Sequence, residues 1–348
     1  MIKTSKYGIG ELKELSSQKM TDINLPQWER DIYGFILEWI DDDNTIGVQT
    51  SGTTGKPRKF RVSKESMGIS ARKTLNFFKL NPGDLALLCL SPNYIAGKLM
   101  IVRALIGELD LVIEEPSGTP LENIDRDIDF VAMVPMQVQK QIQINHEAFK
   151  KVKKLIIGGG EVLPSLKEEL QGISTEVWET YGMTETLTHI ALKKLNGKGK
   201  SDWFIPLQGV TVSENGDNCL EVEVEGVTTG RLTTSDVVEF NKYGHFKVIG
   251  RADDVINTGG IKVFPSELEK KIGEWISQPF IISSVPDETL GEKVVLVIES
   301  DTFNVTELKT NLKNLEFYET PKDIFFIRQL SRTDTGKIVR REVRRMIS

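Results

Sequence analysis

The sequence predicts an α/β protein, with a large layered N-terminal domain and a small α+β C-terminal domain, on three observations. From residue 45 to about residue 159, short apolar runs alternate with helix-length segments, the pattern of a sheet layered with helices. After residue 186 the pattern changes to strands and turns, and a compact module starts near Gly250. The 348 residues suffice for two domains and a substantial buried core.

The elements follow in order. LPQWERDIYGFILEWI, residues 25–40, has apolar residues at near-helical spacing and predicts a helix packed on the sheet. TIGVQT at 45–50 predicts a strand, and a helix is expected at about 63–78. The apolar runs DLALLCL, LDLVIEE, DFVAMVP and KKLIIGG predict further strands, and VTVSENGDNCLEVEVEG predicts a hairpin. In the terminal module, Ser266-Glu267-Leu268-Glu269 reads as a capping-box helix start. The strands VVLVIE and DIFFIRQL then flank a helix at about 305–314.

A formal charge of -6 and a pI near 5.4 give no global attraction for nucleic acid or an anionic membrane, so any pull on an anionic ligand is local. Cys89 and Cys219 are too few for a disulfide framework and are expected to be buried, reduced thiols. His146, His189 and His245 lack metal-ligand spacing. No secretory leader and no apolar run of about 18 residues is visible, which predicts a cytoplasmic protein with no membrane span. A homo-oligomer is compatible with the sequence.

Residues 50–59, TSGTTGKPRK, place hydroxyls, glycines and cations in one short turn after an apolar strand. Gly52 and Gly55 accept positive φ and leave room for an oxyanion. Ser51, Thr53, Thr54 and Lys56 supply donors to phosphate oxygens, with Arg58 and Lys59 adding charge. The Walker pattern differs, with four residues between its glycines and a terminal Lys-Ser/Thr. A plain connecting turn is the alternative reading.

Three later segments accompany this loop in order: YGMTET at 181–186, GRADDVINTGGIKVFPSELE at 250–269 and SRTDTGKI at 331–338. Together the four resemble the adenylate-forming superfamily of acyl-CoA synthetases, luciferases and peptide-synthetase adenylation domains, from about residue 45 to the C-terminus. Within it, the compact length, LIIGGGEVLP at 155–164 and YGMTETLTHIAL at 181–192 are most similar to the 2-succinylbenzoate–CoA ligases of menaquinone biosynthesis.

The resemblance implies a carboxylate substrate, ATP and coenzyme A as co-substrates, and Mg2+. The carboxylate attacks the α-phosphate of ATP, pyrophosphate leaves, and the acyl-adenylate is captured by the coenzyme A thiol. A carboxylate approaching a polyanion needs positive charge and magnesium to offset repulsion. Lys337 matches the family's catalytic lysine, Glu185 its magnesium carboxylate, Thr184 an α-phosphate donor and Tyr181 an aromatic face for adenine. Asp236 matches the carboxylate that accepts from the ribose hydroxyls, with Arg251 beside it. Gly158, Gly159, Gly160 and Glu161 resemble segments that line the adenine and acyl pockets. Solvated surface groups, a core tyrosine and tight turns are the alternatives for these residues taken singly.

Asp253 matches the hinge about which a small mobile C-terminal domain swings, and this implies domains at 1–252 and 253–348. Gly259 and Gly260 match a pantetheine channel, and a simple turn explains them as well. For the acid, Lys98, Arg103, Thr188 and His189 are the candidates to meet a second carboxylate. Departures are Arg58-Lys59 where Lys-Gly is usual, Asn93-Tyr94 where an aromatic-histidine pair is frequent, and Ser331 where proline is frequent. Only 49 residues precede Thr50, where the family commonly carries a longer segment; a short branch is expected. Another aryl- or acyl-CoA ligase, a stand-alone adenylation domain loading a carrier protein, and a non-catalytic nucleotide-binding protein remain as alternatives.

Overall fold

A computed structural model of the chain describes residues 1–49, 59–301, 305–332 and 338–347. By internal contacts these fall into two units. One comprises the described residues up to 212 with 222–232, and the other 213–221 with those from 233 onward.

The first unit opens with strand β1 (Ile2–Lys3), helices α1 (Ile9–Thr21) and α2 (Gln27–Ile40), and the antiparallel hairpin β2 (Thr45–Gln49) and β3 (Lys59–Ser63). There follow α3 (Lys64–Phe78), β4 (Leu85–Leu88), α4 (Ile95–Gly107), β5 (Asp110–Ile113), β6 (Ile128–Met133), α5 (Pro135–Asn145), β7 (Val152–Ile157) and α6 (Pro164–Glu169). Then come β8 (Glu176–Gly182), β9 (His189–Lys194) and β10 (Ile205–Pro206). Eight strands form one sheet in the order β1-β5-β4-β6-β7-β8-β9-β10. Its centre, β5-β4-β6-β7-β8, is parallel, and β1, β9 and β10 join antiparallel at the edges.

A parallel sheet covered on both faces makes its strands read as continuous apolar runs, and side-chain alternation divides them between two cores. Ala86, Leu88, Phe130, Ala132 and Ile156 point to the core shared with Ile32, Phe35 and Ile36 of α2. Leu87, Val131, Met133, Leu155 and Ile157 point to the opposite core with Val138 and Phe149. Ser63 starts α3 by accepting the Ser66 amide at 2.9 Å, a side-chain N-cap.

A four-stranded sheet runs in sequence order through β11 (Val210–Glu214), β12 (Cys219–Val224), β13 (Leu232–Phe240) and β14 (Phe246–Arg251). In the second unit, β15 (Ile256–Thr258) and β16 (Ile261–Val263) form a hairpin, followed by α7 (Pro265–Ile272). Next come β17 (Phe280–Asp287), β18 (Gly291–Glu299), α8 (Val305–Leu312), β19 (Asp323–Ile327) and α9 (Arg340–Ile347). Strands β16-β15-β18-β17, with β19 beside β18, form a five-stranded sheet, one face of which packs Ile282, Val294 and Leu296 on Leu268, Ile272, Leu308 and Leu312. The other packs Ile281, Val295 and Val297 on Leu330 and Val343.

The capping-box expectation at Ser266 is corrected. Helix α7 begins at Pro265, whose fixed φ suits the first helical position, with Phe264 at the cap and no side-chain cap bond. Glu269 is freed from a capping role and instead accepts the Ile282 amide at 2.7 Å and the Arg340 guanidinium at 2.5 and 2.8 Å. Both cysteines are buried and free, as expected. Among the described residues, no helix is long and apolar enough to cross a membrane.

Candidate active site

The strand end that carries Tyr181 is closed by backbone packing. At Gly182 a Cβ would collide with the Thr188 carbonyl, so only glycine lets the chain fold back there. Between Gly182 and β9, Thr184 and Glu185 lie exposed while Thr186 is buried at 1% exposure. The Thr186 hydroxyl accepts the Met183 amide at 3.2 Å and shares its proton between the Met183 carbonyl at 3.0 Å and the Thr188 carbonyl at 2.9 Å. This residue went unrecognised in the sequence, where its place inside YGMTET was the available signal.

Tyr181 is half-buried, its ring 5.6 Å from that of Phe204. Lys193 lies 4.3 Å over the Phe204 ring and pairs with Glu179 at 2.9 Å, so an aromatic and charged layer supports Tyr181. Beside it, the glycine run ends β7. A Cβ on Gly158 would sit 2.5 Å from Thr180 Oγ1, and Gly159 has φ +80°. Gly160 and Glu161 are exposed.

Arg103 and His189 meet in the interior. Arg103, on α4, is 2% exposed, and its Nη2 donates to Thr188 Oγ1 at 3.5 Å. Its Nη1 contacts Met100 Sδ at 3.4 Å, and its buried Nε has no partner. Among the described residues, no carboxylate pairs with this guanidinium, and desolvation pulls its pKa down to about 10, still charged at neutral pH. His189 lies between Thr188 Oγ1 at 3.3 Å from Nδ1 and Thr74 Oγ1 at 3.2 Å from Nε2. Burial first, and then the Arg103 charge, hold its pKa well below the usual value, which keeps it neutral. Thr74, on α3, carried no signal in the sequence. Lys98 stands apart from this group: it pairs with Glu38 of α2 at 3.3 Å and lies 4.5 Å over the Phe35 ring.

In the second unit, β13 and β14 set Asp236 directly opposite Arg251. Arg251 donates to Asp236 at 3.1 Å and to Asp253 at 3.1 Å. Burial works against its charge, but Asp236, Asp253 and Asp254 together hold the guanidinium above its usual pKa. Asp253, accepting from Ser235 and Arg251, is held below the ordinary carboxylate range. Gly259 and Gly260 have φ +59° and +83° and join β15 to β16 as a two-residue hairpin turn, a geometry that requires positive φ at both positions.

Ser51, Gly52, Thr53, Thr54, Gly55 and Lys56 lie outside the described residues, as does Lys337. Among the described residues, no group of three His, Cys, Asp or Glu converges as a metal cage. An exposed single carboxylate such as Glu185 fits Mg2+, which keeps several waters and is shared with substrate phosphates.

Comparison with known proteins places this geometry in a family. Residues 13–234 match the family model described as AMP-binding enzyme. A solved acyl-CoA synthetase (AMP-forming)/AMP-acid ligase II-like protein from Dyadobacter fermentans is 33% identical, with 97% of this chain and 98% of that one covered and a TM-score of 0.66. The 2-succinylbenzoate–CoA ligase of Listeria monocytogenes is 25% identical over 335 residues, covering 89% of this chain and 72% of the relative. The o-succinylbenzoate CoA synthetase of Bacillus subtilis, solved with its acyl-adenylate intermediate, shares the fold with a TM-score of 0.73 at 22% identity, covering 85% and 68%. The chain belongs to the AMP-binding enzyme family.

Proposed function

We propose that the protein is an AMP-forming acid–thiol ligase that uses ATP and Mg2+ to activate 2-succinylbenzoate at its succinyl carboxylate and transfers the acyl group to coenzyme A, a step of menaquinone biosynthesis in the cytoplasm. The family membership and the names of the similar ligases support ligation, and one observation supports this acid. Arg103 is a fully desolvated cation without a carboxylate partner among the described residues, and through Thr188 it adjoins the loop that carries Thr184 and Glu185. Burying an uncompensated charge is costly, so a substrate carboxylate that completes the pair would be held strongly. 2-Succinylbenzoate carries such a group on its ring, beyond the carboxylate that reacts.

In the proposed reaction, Glu185 holds magnesium, Thr184 donates to the α-phosphate and Tyr181 supports adenine, while Asp236 with Arg251 takes the ribose. Ser51 to Lys56 cradle the phosphates, and Lys337 stabilises the charge that develops in adenylation. Gly259 and Gly260 admit pantetheine, and Asp253 is the pivot between residues 1–252 and 253–348.

Incubation with 2-succinylbenzoate, Mg·ATP and either coenzyme A or a phosphopantetheinylated carrier protein tests the reading. The expected product is the coenzyme A thioester, identified by mass, together with AMP and pyrophosphate. Acyl transfer to the carrier protein alone would assign a stand-alone adenylation domain instead.

A further inference from the structure

Leu187 has φ +64° and ψ -40°, a conformation that a residue with a branched side chain rarely adopts. The Thr188 amide donates to the Thr186 carbonyl at 2.8 Å, two residues back, which makes Leu187 the centre of a γ-turn of the strained, positive-φ form. Such strain persists only where the surroundings over-determine it. Beside the backbone bonds from the Thr186 amide to the Met183 carbonyl at 3.2 Å and from the Leu187 amide to the Thr184 carbonyl at 3.0 Å, one side chain spans the turn: the buried Thr186 hydroxyl ties Met183, before it, to Thr188, after it. Gly182 closes the same loop from behind, against the Thr188 carbonyl.

The two ends of this turn face different tasks. Thr184 and Glu185 are exposed on one side, and Thr188 meets Arg103 on the other. We infer that Thr186 is a positioning residue whose hydroxyl holds the strained Leu187 turn, and that this turn fixes the nucleotide-facing pair Thr184–Glu185 in register with the acid-facing pair Thr188–Arg103. A one-residue turn is too short to absorb slack, so a shift at either end is passed to the other. The inference rests on the roles proposed above for Glu185 and Arg103.

The strain supplies its own test. Thr186→Val keeps the shape and removes the hydroxyl; Thr186→Ser keeps the hydroxyl; Leu187→Gly makes positive φ unstrained. Two readouts are taken on the intact chain: Mg·ATP affinity, which needs no acid, and acid-dependent pyrophosphate exchange with whichever acid the wild type accepts. Thr186→Val is expected to lower kcat for exchange by on the order of 10²-fold, the scale of a misplacement near 1 Å, and to weaken Mg·ATP binding. Thr186→Ser restores most of both, and so does Leu187→Gly added to Thr186→Val, because the turn then forms without the clamp. Rescue by serine without rescue by Leu187→Gly would overturn the inference, as would a Thr186→Val enzyme that exchanges at the wild-type rate. A wild type that exchanges only with other acids would count against the 2-succinylbenzoate reading and leave these ratios measurable.

Discussion

His189 and Arg103 share one buried environment whose low polarity disfavours the charged form of each. For His189 this has a pH consequence. The unfolded chain takes up a proton near the ordinary imidazole value of about 6.5, whereas the folded chain resists protonation well below it. The stability contributed by neutral His189 is therefore complete above about pH 6.5. It is lost as pH falls from there toward the depressed folded value, by up to about 1.4 kcal/mol per pH unit. His189→Gln, which keeps hydrogen-bonding capacity toward Thr74 and Thr188 but cannot titrate, is expected to flatten the acid limb of melting temperature against pH below about pH 6.5. An unchanged acid limb would place the titrating group elsewhere. The sequence offered both residues as candidates to meet a second carboxylate, on the chemistry of a cation and a donor. Their burial and partners were not, because Thr188 lies 85 residues from Arg103 and Thr74 lies 115 from His189.

At the scale of elements, the parallel strands were readable because burial on both faces turns each into an apolar run, as in DFVAM of β6. Helix α2 was readable for the converse reason: Ile32, Tyr33, Phe35 and Ile36 mark one face. Helix α1 was not, because it buries only Leu12 and Ser16 and leaves little apolar period to detect. The start of α7 was misread because Pro265 outranks Ser266 as a starting signal. Besides the apolar packing of Leu268 and Ile272, a long-range pair ties α7 to α9: Arg340 of α9 reaches Glu269 at 2.5 and 2.8 Å, and Asp254 at 3.7 Å. Arg340→Met is expected to destabilise the protein by about 1–3 kcal/mol, less than a fully buried pair because both side chains keep some solvent contact. Glu269→Gln added to it should cost less than the sum of the single changes. Additive melting shifts in calorimetry would mean that the pair contributes nothing as a pair.

At the scale of the whole molecule, the four ordered motifs pointed to the family, and the residues proposed for the ribose in the second unit are brought together by its topology. Register between β13 and β14 pairs Asp236 with Arg251, and the next turn carries Asp253. The proposed division of labour between half-reactions is measurable at this scale. Lys337→Ala should slow adenylation by about 10² to 10³-fold, the scale of a lost transition-state donor, and affect conversion of supplied acyl-adenylate to thioester much less. Asp253→Pro, by restricting φ, should preserve one half-reaction at the expense of the other. Equal losses in both steps for Lys337→Ala, or wild-type rates in both for Asp253→Pro, would remove the corresponding role.

The central claim is that the buried Arg103 guanidinium reads a second carboxylate on the acid. A site built around a charged partner rejects an analogue lacking it far more strongly than an apolar pocket rejects a missing methylene. The most direct measurement is kcat/KM for Mg·ATP-dependent thioester formation with 2-succinylbenzoate and with 4-phenyl-4-oxobutanoate, in the wild type and in Arg103→Met. The account predicts a wild-type preference for the diacid of on the order of 10²-fold or more, which collapses in the variant mainly through loss of activity on the diacid. The same preference in wild type and variant, or a wild type that favours 4-phenyl-4-oxobutanoate, benzoate or a fatty acid, would contradict it.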